Sequence, residues 1–301
     1  MAVIAFIGFG ELASALAEGL MGQGHELRAY LRSSPSPERL TRLHGASVAH
    51  SAEPSEVLEG AEIVLVTVPG SACLEVAEMV VPRLSPGALY VDLATATPED
   101  KMTASRLVAP DPASPGYAGA GPDYVDAAVL GTVVVSGHRV PILACGPGAQ
   151  RFEALAAAHG LVVSTLDAPP GQAALVKLLR SVFLKGRDAL ILEMMLAARR
   201  HGLHEAVVQS IDTPAERVSF PALVQRVLCS LALHAGRRGE ELAQTGRILE
   251  EAGIDPGLSL AGAQALRELA ALDLPEYFGH ERPADAQAVL AEIDRRWPKG
   301  R

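Results

Sequence analysis

Two groups of residues in this sequence are spaced to do chemistry. Gly8 and Gly10 with Ala13 make a G-x-G-x-x-A pattern between an apolar run and a helical stripe. Such a break leaves free backbone N–H groups at a helix start with no side chain in the way, an arrangement that holds a pyrophosphate. Gly8, Phe9, Gly10, Glu11 and Leu12 are therefore the candidate phosphate contacts. The second group is a polar strip in an otherwise apolar helical stretch: Lys177, Ser181, Lys185 and Asp188, with Arg180 beside them. These positions recur at helical spacing and share one face. A solvated face explains such a strip, and so does one wall of a site; spacing alone leaves both open.

Two further clusters bear on ligands. Enzymes that prefer NAD carry an acid after the second strand to bind the ribose hydroxyls, but Leu31 stands there, followed by Arg32, Ser33 and Ser34. A guanidinium and two hydroxyls suit a 2′-phosphate, so NADP(H) is expected over NAD(H). An ordinary solvated turn is the competing reading. Near the other end, His234, Arg237, Arg238, Glu240 and Glu241 cluster. Arg238 is a candidate for an anionic substrate group, although pairing with the glutamates explains the cluster equally well.

The elements that must position these groups follow from periodicity. AVIAFI reads as a buried strand and Glu11–Met21 as a helix with Leu12, Leu16 and Leu20 on one stripe. Apolar runs then alternate with helical patterns, which predicts βαβ units and a parallel sheet covered on both faces. Strand-like runs stop after residue 168. From Gly171 onward nearly everything reads as helix, beginning with one long helix that Gly202 ends. The expected fold is α/β: a Rossmann-type doubly wound sheet over 1–168, then an all-helical domain over 169–301. Residues 113–123, rich in glycine and proline, read as a loop. Val68 and Pro69 fall at the carboxyl end of a strand, where a nicotinamide ring would lie.

Composition limits the function classes. The 301 residues are 49% hydrophobic and 20% charged, enough for two domains with real cores, and contain no apolar run long enough for a membrane span. A net charge of -9 without a basic stripe argues against nucleic acid. The first strand begins at once with no basic region before it, so a cytoplasmic protein without a secretory leader is expected. Cys73, Cys145 and Cys229 are isolated among apolar residues and read as buried thiols. His201, His204 and His234 show no ligand spacing, so no metal is expected.

Four segments together resemble the β-hydroxyacid dehydrogenases, which include 6-phosphogluconate and 3-hydroxyisobutyrate dehydrogenases. They are GFGELA at the N-terminus, VDLATATP at 91–98, YVDAAVLG at 124–131 and GQAALVKLLRS at 171–181. The family forms are a GxGxxG-type loop, D-x-S-T-x-x-P, D-A-P-V-S-G-G and G-x-x-x-x-x-K-x-x-x-N. The resemblance implies that Lys177 is the catalytic lysine, that Gly131 helps hold a substrate acid group and that Thr95 lies near substrate or nicotinamide. Leu130 replaces the family's serine, Thr132 a glycine, Ala94 a serine and Ser181 the asparagine, so the usual small hydroxy acids are in question. Residues 233–256 resemble a helical domain from a less characterised branch.

The resemblance implies a reversible oxidation of a 3-hydroxy acid or related polar alcohol, with Lys177 and Ser181 as catalytic candidates. Thr95, Leu130, Gly131, Thr132, Lys185 and Arg238 are the substrate candidates. Burial and the cations Arg180 and Lys185 would disfavour the ammonium form of Lys177. The resemblance also implies that the helical domain over 169–301 serves substrate binding and dimerisation, and a homodimer built through 227–235 and the stripe Leu258, Leu260, Ala263, Leu266, Leu269 is expected. The alternatives are an imine reductase-like enzyme and a non-catalytic NADPH-binding protein.

Overall fold

The opening run becomes β1 (Val3–Ile7), the centre of an eight-stranded sheet, because alternate side chains feed a core on each face. Ile4 and Phe6 join one apolar cluster with Leu16, Leu27 and Phe152. Ala5 and Ile7 join the other with Val64, Val66 and Tyr90. This computed structural model describes residues 2–109, 121–214 and 216–298; most of the expected 113–123 loop lies outside them.

The chain runs from β1 through α1 (Glu11–Leu20), β2 (Glu26–Tyr30), α2 (Pro37–Gly45), β3 (Ala49–Ser51), α3 (Pro54–Leu58) and β4 (Ile63–Val66). It continues through α4 (Cys73–Val80), β5 (Leu89–Asp92), α5 (Pro98–Val108), β6 (Asp123–Val129), α6 (Val133–Ser136), β7 (Ile142–Cys145), α7 (Ala149–Ala158) and β8 (Val163–Thr165). The strand order is β3-β2-β1-β4-β5-β6-β7-β8, with the order reversing beside β1 as in a doubly wound sheet.

The sheet departs from the all-parallel expectation at one place: β6 and β7 are antiparallel, with Asp126 opposite Cys145. Instead of a crossover helix, the connection holds only the short α6 and a turn, and Leu130 N–H donates to Pro141 O at 2.8 Å as the chain doubles back. All other pairings are parallel.

Helices follow to the end of the described chain: α8 (Gln172–Arg200), α9 (His204–Ile211), α10 (Phe220–Glu251), α11 (Gly257–Ala270), α12 (Leu274–Tyr277) and α13 (Ala286–Arg296). The chain divides into two compact units, 1–181 and 182–301. The division falls inside α8 because its first turns are part of the sheet unit: Ala173 and Ala174 are buried, and Ala173 packs with Ala128 and Cys145. In the second unit Cys229, Ala232, Ala286 and Val289 form one small core and Ala235, Leu269 and Leu274 another. Gly239 and Gly246 let α10 approach α11 closely, since added Cβ atoms would lie 3.2 Å from Ala263 O and 2.8 Å from Leu260 Cδ2. No helix among the described residues is long and apolar enough to cross a membrane.

Candidate functional site

The glycine turn has the geometry that close ligand approach requires. Gly8 turns with φ +83° and donates its N–H to Tyr30 O at 3.1 Å. A Cβ here would press against Val68 Cγ1 at 3.2 Å and Thr67 O at 3.3 Å, in addition to the backbone strain. Thr67 Oγ1 donates to Gly8 O at 3.0 Å, tying the end of β4 to the turn. Gly10 caps α1 with no side-chain hydrogen bond, and a Cβ there would meet nothing within 4 Å. The space in front of the helix start is open, and its N–H groups are available to an anion.

That space continues into a cavity of about 460 Å³ along the carboxyl ends of β1, β2 and β4. Gly8, Phe9 and Gly10 form one wall, Val68 and Pro69 another, and Tyr30, Arg32, Ser33 and Arg39 a third. The size is that of an ordinary cofactor cleft. A dinucleotide fits these residues: open backbone at the glycines, an apolar wall at Val68, and two guanidinium groups at the far rim. Arg39 is a rim cation that the sequence pattern did not flag. It sits in the first turn of α2, where Ser36 Oγ accepts its backbone N–H at 3.3 Å. Arg32 is largely exposed and reaches Glu75 Oε1 at 3.3 Å. Ser34 and Leu12 lie outside the lining, and Leu12 packs against the core. Glu11 lines a separate hollow with Ser14, Glu18 and Arg42.

The lysine lies on a second arrangement in the same unit. Lys177 Nζ donates to Thr95 Oγ1 at 2.8 Å, across the loop between β5 and α5. That loop is held from both sides. Thr97 Oγ1 caps α5 by accepting from Asp100 N–H at 3.1 Å. Gly70 packs so closely that a Cβ would fall 1.9 Å from Thr95 O, an overlap only backbone movement could relieve.

Beneath Lys177 is a cluster that sequence reasoning missed. Lys101 of α5 is buried, with its Nζ 2.9 Å from Asp92 Oδ1 and 3.5 Å from Asp126 Oδ1, and it donates to Asp92 O at 2.7 Å. Asp92 also accepts from Ala94 N–H at 3.0 Å, Tyr124 O–H at 2.9 Å and Cys73 S–H at 3.1 Å. Asp126 Oδ2 accepts the N–H groups of Gly171 at 3.0 Å and Ala174 at 3.2 Å, so it caps the start of α8. Its Oδ1 is buried with no hydrogen bond. Burial, and then Asp92, push the Cys73 thiol up to about 12; burial, and then Asp126, push Cys145 up to about 11. Burial followed by both aspartates drives the Tyr124 phenol upward as well. These groups stay protonated and donate to the carboxylates, and Cys145 Sγ also accepts the Ala173 N–H at 3.3 Å. Asp126, Lys101, Thr95 and Lys177 line one crevice of about 10 Å³, room for a single water.

The remaining candidates are scattered. Ser181 Oγ donates to Lys177 O at 3.0 Å, one turn back along its own helix. Leu130 packs with Ala128, Cys145 and Ala173. Gly131 lies against Pro141 Cδ and Val140 Cγ2, where a Cβ would come within 3.0 Å, and Thr132 opens α6. Lys185 and Arg238 belong to the second unit; Lys185 is exposed and Arg238 donates to Ser230 Oγ at 2.9 Å. Among the described residues no three His, Cys, Asp or Glu side chains are placed to hold a metal ion.

Comparison with known proteins matches two separate stretches of the chain. Residues 3–96 match the family model described as "NADP oxidoreductase coenzyme F420-dependent", and residues 198–269 match a domain of unknown function, DUF1932. An uncharacterized 28.5 kDa protein of Methanothermus fervidus is 21% identical over 84% of this chain and 93% of its own. The 3-sulfolactaldehyde reductase of Escherichia coli is 31% identical over 35% of this chain and 36% of its own. A solved protein of unknown function, reported as structurally similar to 3-hydroxyacid dehydrogenases, is 28% identical over 89% of this chain and 98% of its own, with a TM-score of 0.59. An imine reductase of Streptomyces aurantiacus shares the fold, with a TM-score of 0.72 at 20% identity over 97% and 99% of the two chains.

Proposed function

We propose that this chain, a member of the 3-hydroxyacid dehydrogenase-like nicotinamide oxidoreductases, is an NADP-dependent enzyme interconverting a polar, anionic alcohol of the 3-hydroxy acid type and its carbonyl counterpart. The observation that carries this reading is the bond from Lys177 Nζ to Thr95 Oγ1 at the carboxyl edge of β5, in the unit that holds the glycine turn. When bound, the dinucleotide supplies or accepts the hydride through its nicotinamide ring. The Gly8–Gly10 turn and the start of α1 take the pyrophosphate. Arg32, Ser33 and Arg39 take the 2′-phosphate. Val68 and Pro69 form the apolar wall for the ring.

Lys177 exchanges the proton of the substrate hydroxyl, and Thr95 fixes the direction in which its Nζ points. Gly131 and Thr132 offer backbone N–H groups to an acid function. Leu130 brings no hydroxyl and lies in an apolar cluster, so the substrate differs from those of relatives with serine there. Pools of hydroxy acids and of keto acids or aldehydes, followed by NADPH absorbance, test the assignment. Turnover with one anionic pool is expected. Tight NADPH binding without turnover on any pool, imines included, would reverse the enzymatic reading in favour of a binding protein.

The protein is also expected to be a homodimer working in the cytoplasm. In the second unit Leu190, Ile191, Leu192, Ile211, Phe220 and Ile248 are exposed, as are Leu258 and Leu260. So much apolar surface on one helical unit marks an interface. Cys229, Ala232, Ala263 and Leu269, which the sequence pattern assigned to that interface, are buried in the unit itself. Light scattering at micromolar concentration is expected to give twice the 31.4 kDa chain mass; a mass of one chain would refute the dimer.

A further inference from the structure

The buried cluster below Lys177 bears more charge than a structural staple requires. Asp92 and Asp126 are neighbours in register on β5 and β6, and like charges so placed repel unless a cation stands between them. Lys101 is that cation. Two carboxylates and one ammonium leave one net negative charge, and the protonated thiols and phenol around them add hydrogen bonds without cancelling it. The less compensated carboxylate is identifiable: Asp126 Oδ1 is buried without a hydrogen bond, meets Lys101 Nζ only at 3.5 Å while Asp92 Oδ1 holds it at 2.9 Å, and belongs to a residue lining the same single-water crevice as Lys177.

We propose that the Asp92–Lys101–Asp126 cluster holds Lys177 as an ammonium and so sets it as the proton donor of a carbonyl reductase. The proposal rests on the oxidoreductase reading and says which form of Lys177 waits in the resting site, the one that the reductive half of that reversible reaction uses. Lys177 gives an Nζ proton to the substrate oxygen as the carbonyl carbon receives a hydride from the reduced nicotinamide; the C=O becomes an alcohol, and the neutral amine regains its proton from water. Asp126 is a positioning residue in two senses. By accepting the N–H groups of Gly171 and Ala174 it orients the helix that presents Lys177, and through the crevice its charge favours the protonated amine.

Other charged groups on the elements packed here are Glu99, Asp100 and Arg106 on α5, Asp123 at the start of β6, and Arg180 on the first turns of α8. Arg180 is exposed, so solvent screens its repulsion, whereas Asp92, Lys101 and Asp126 are buried. Cys73, Tyr124 and Cys145 contribute no charge at working pH.

The test reads protonation directly and needs no substrate. The chain has four lysines, Lys101, Lys177, Lys185 and Lys299, so trace acetylation with acetic anhydride across a pH series, read by peptide mass spectrometry, gives a separate midpoint for Lys177. In the wild type that midpoint is expected at or above that of exposed Lys185; a midpoint below Lys185 overturns the proposal. In Asp126→Asn, which keeps an oxygen to accept the α8 N–H groups, the Lys177 midpoint is expected to fall by about one pH unit while that of Lys185 stays. An unchanged midpoint in a folded variant also overturns it. If Asp126→Asn does not fold, the wild-type comparison decides alone. The readout is independent of turnover, so failure to find a substrate leaves this result standing, and a low Lys177 midpoint leaves the oxidoreductase assignment standing.

Discussion

Lys177→Met is expected to keep the fold and NADPH binding while slowing turnover by on the order of 10²- to 10⁴-fold, the usual contribution of a positioned proton-transfer group. Methionine retains the length and apolar stem of lysine, and the residue is only half-buried, so packing loss is small. What disappears is the Nζ that bonds Thr95. Lys177→Arg separates proton transfer from charge. A guanidinium remains positive and can still bind an acid group, but it does not give up a proton near neutral pH. Turnover is therefore expected to fail in both variants, with the loss in kcat. Recovery of most of the activity with arginine, and a methionine defect confined to KM, would show that Lys177 binds substrate and does no proton transfer.

How much of this arrangement was legible depended on the range of the signal. The glycine turn, the strand before it and the helix after it are local, and a contiguous stretch contains everything that makes them: φ +83° at Gly8, open space at Gly10 and the apolar stripe of α1. The long helix and its end at Gly202 were readable for the same reason. The antiparallel return at β7 was not, because apolar runs look alike in either direction and the deciding feature is what the intervening chain folds into. Electrostatics around Lys177 shows the same limit. Its own helix displays Arg180 and Lys185 within about two turns of it, and the first acid along that helix is Asp188, about three turns away. Asp92, Lys101 and Asp126 come from β5, α5 and β6 and meet only in three dimensions.

A sequence signal for that cluster does exist. Tyr90-Val91-Asp92 recurs as Tyr124-Val125-Asp126, the first closing one strand and the second opening the next. Adjacent parallel strands put the two copies side by side, tyrosines stacked with centroids 5.8 Å apart and aspartates paired. Two acids buried in register demand a cation, and Lys101 is the only lysine before Lys177. The departures at Ala94, Leu130 and Ser181 become interpretable in the same way. Ala94 leaves its backbone N–H on Asp92, Leu130 fills an apolar cluster, and Ser181 bonds its own helix. None of the three gives a polar side chain to Lys177, so Thr95 is the hydroxyl that orients it.

The cofactor rim yields the second large effect. Replacing Arg32 and Arg39 together by alanine is expected to weaken NADPH binding on the order of a hundredfold, each arginine accounting for about tenfold, and to change NADH affinity by less than about threefold. Both residues line the cavity beside Gly8 and Gly10, and both suit a 2′-phosphate that NADH lacks. The rim also limits the effect. Arg32 is largely exposed and lies 3.3 Å from Glu75, so the phosphate must compete with a carboxylate and with water for that guanidinium. Among the described residues no carboxylate pairs with Arg39, and this makes Arg39→Ala the more informative single variant. Glu75→Gln is expected to tighten NADPH modestly by removing the competitor, and added salt should narrow the gap between the two cofactors because the contacts are solvent-exposed. Fluorescence titration of both reduced cofactors against the wild type and the variants measures all of this. Equal loss of NADPH and NADH in the double variant would mean that the arginines hold the turn or the adenosine as a whole, and the 2′-phosphate assignment, with the NADP preference derived from it, would have to be withdrawn.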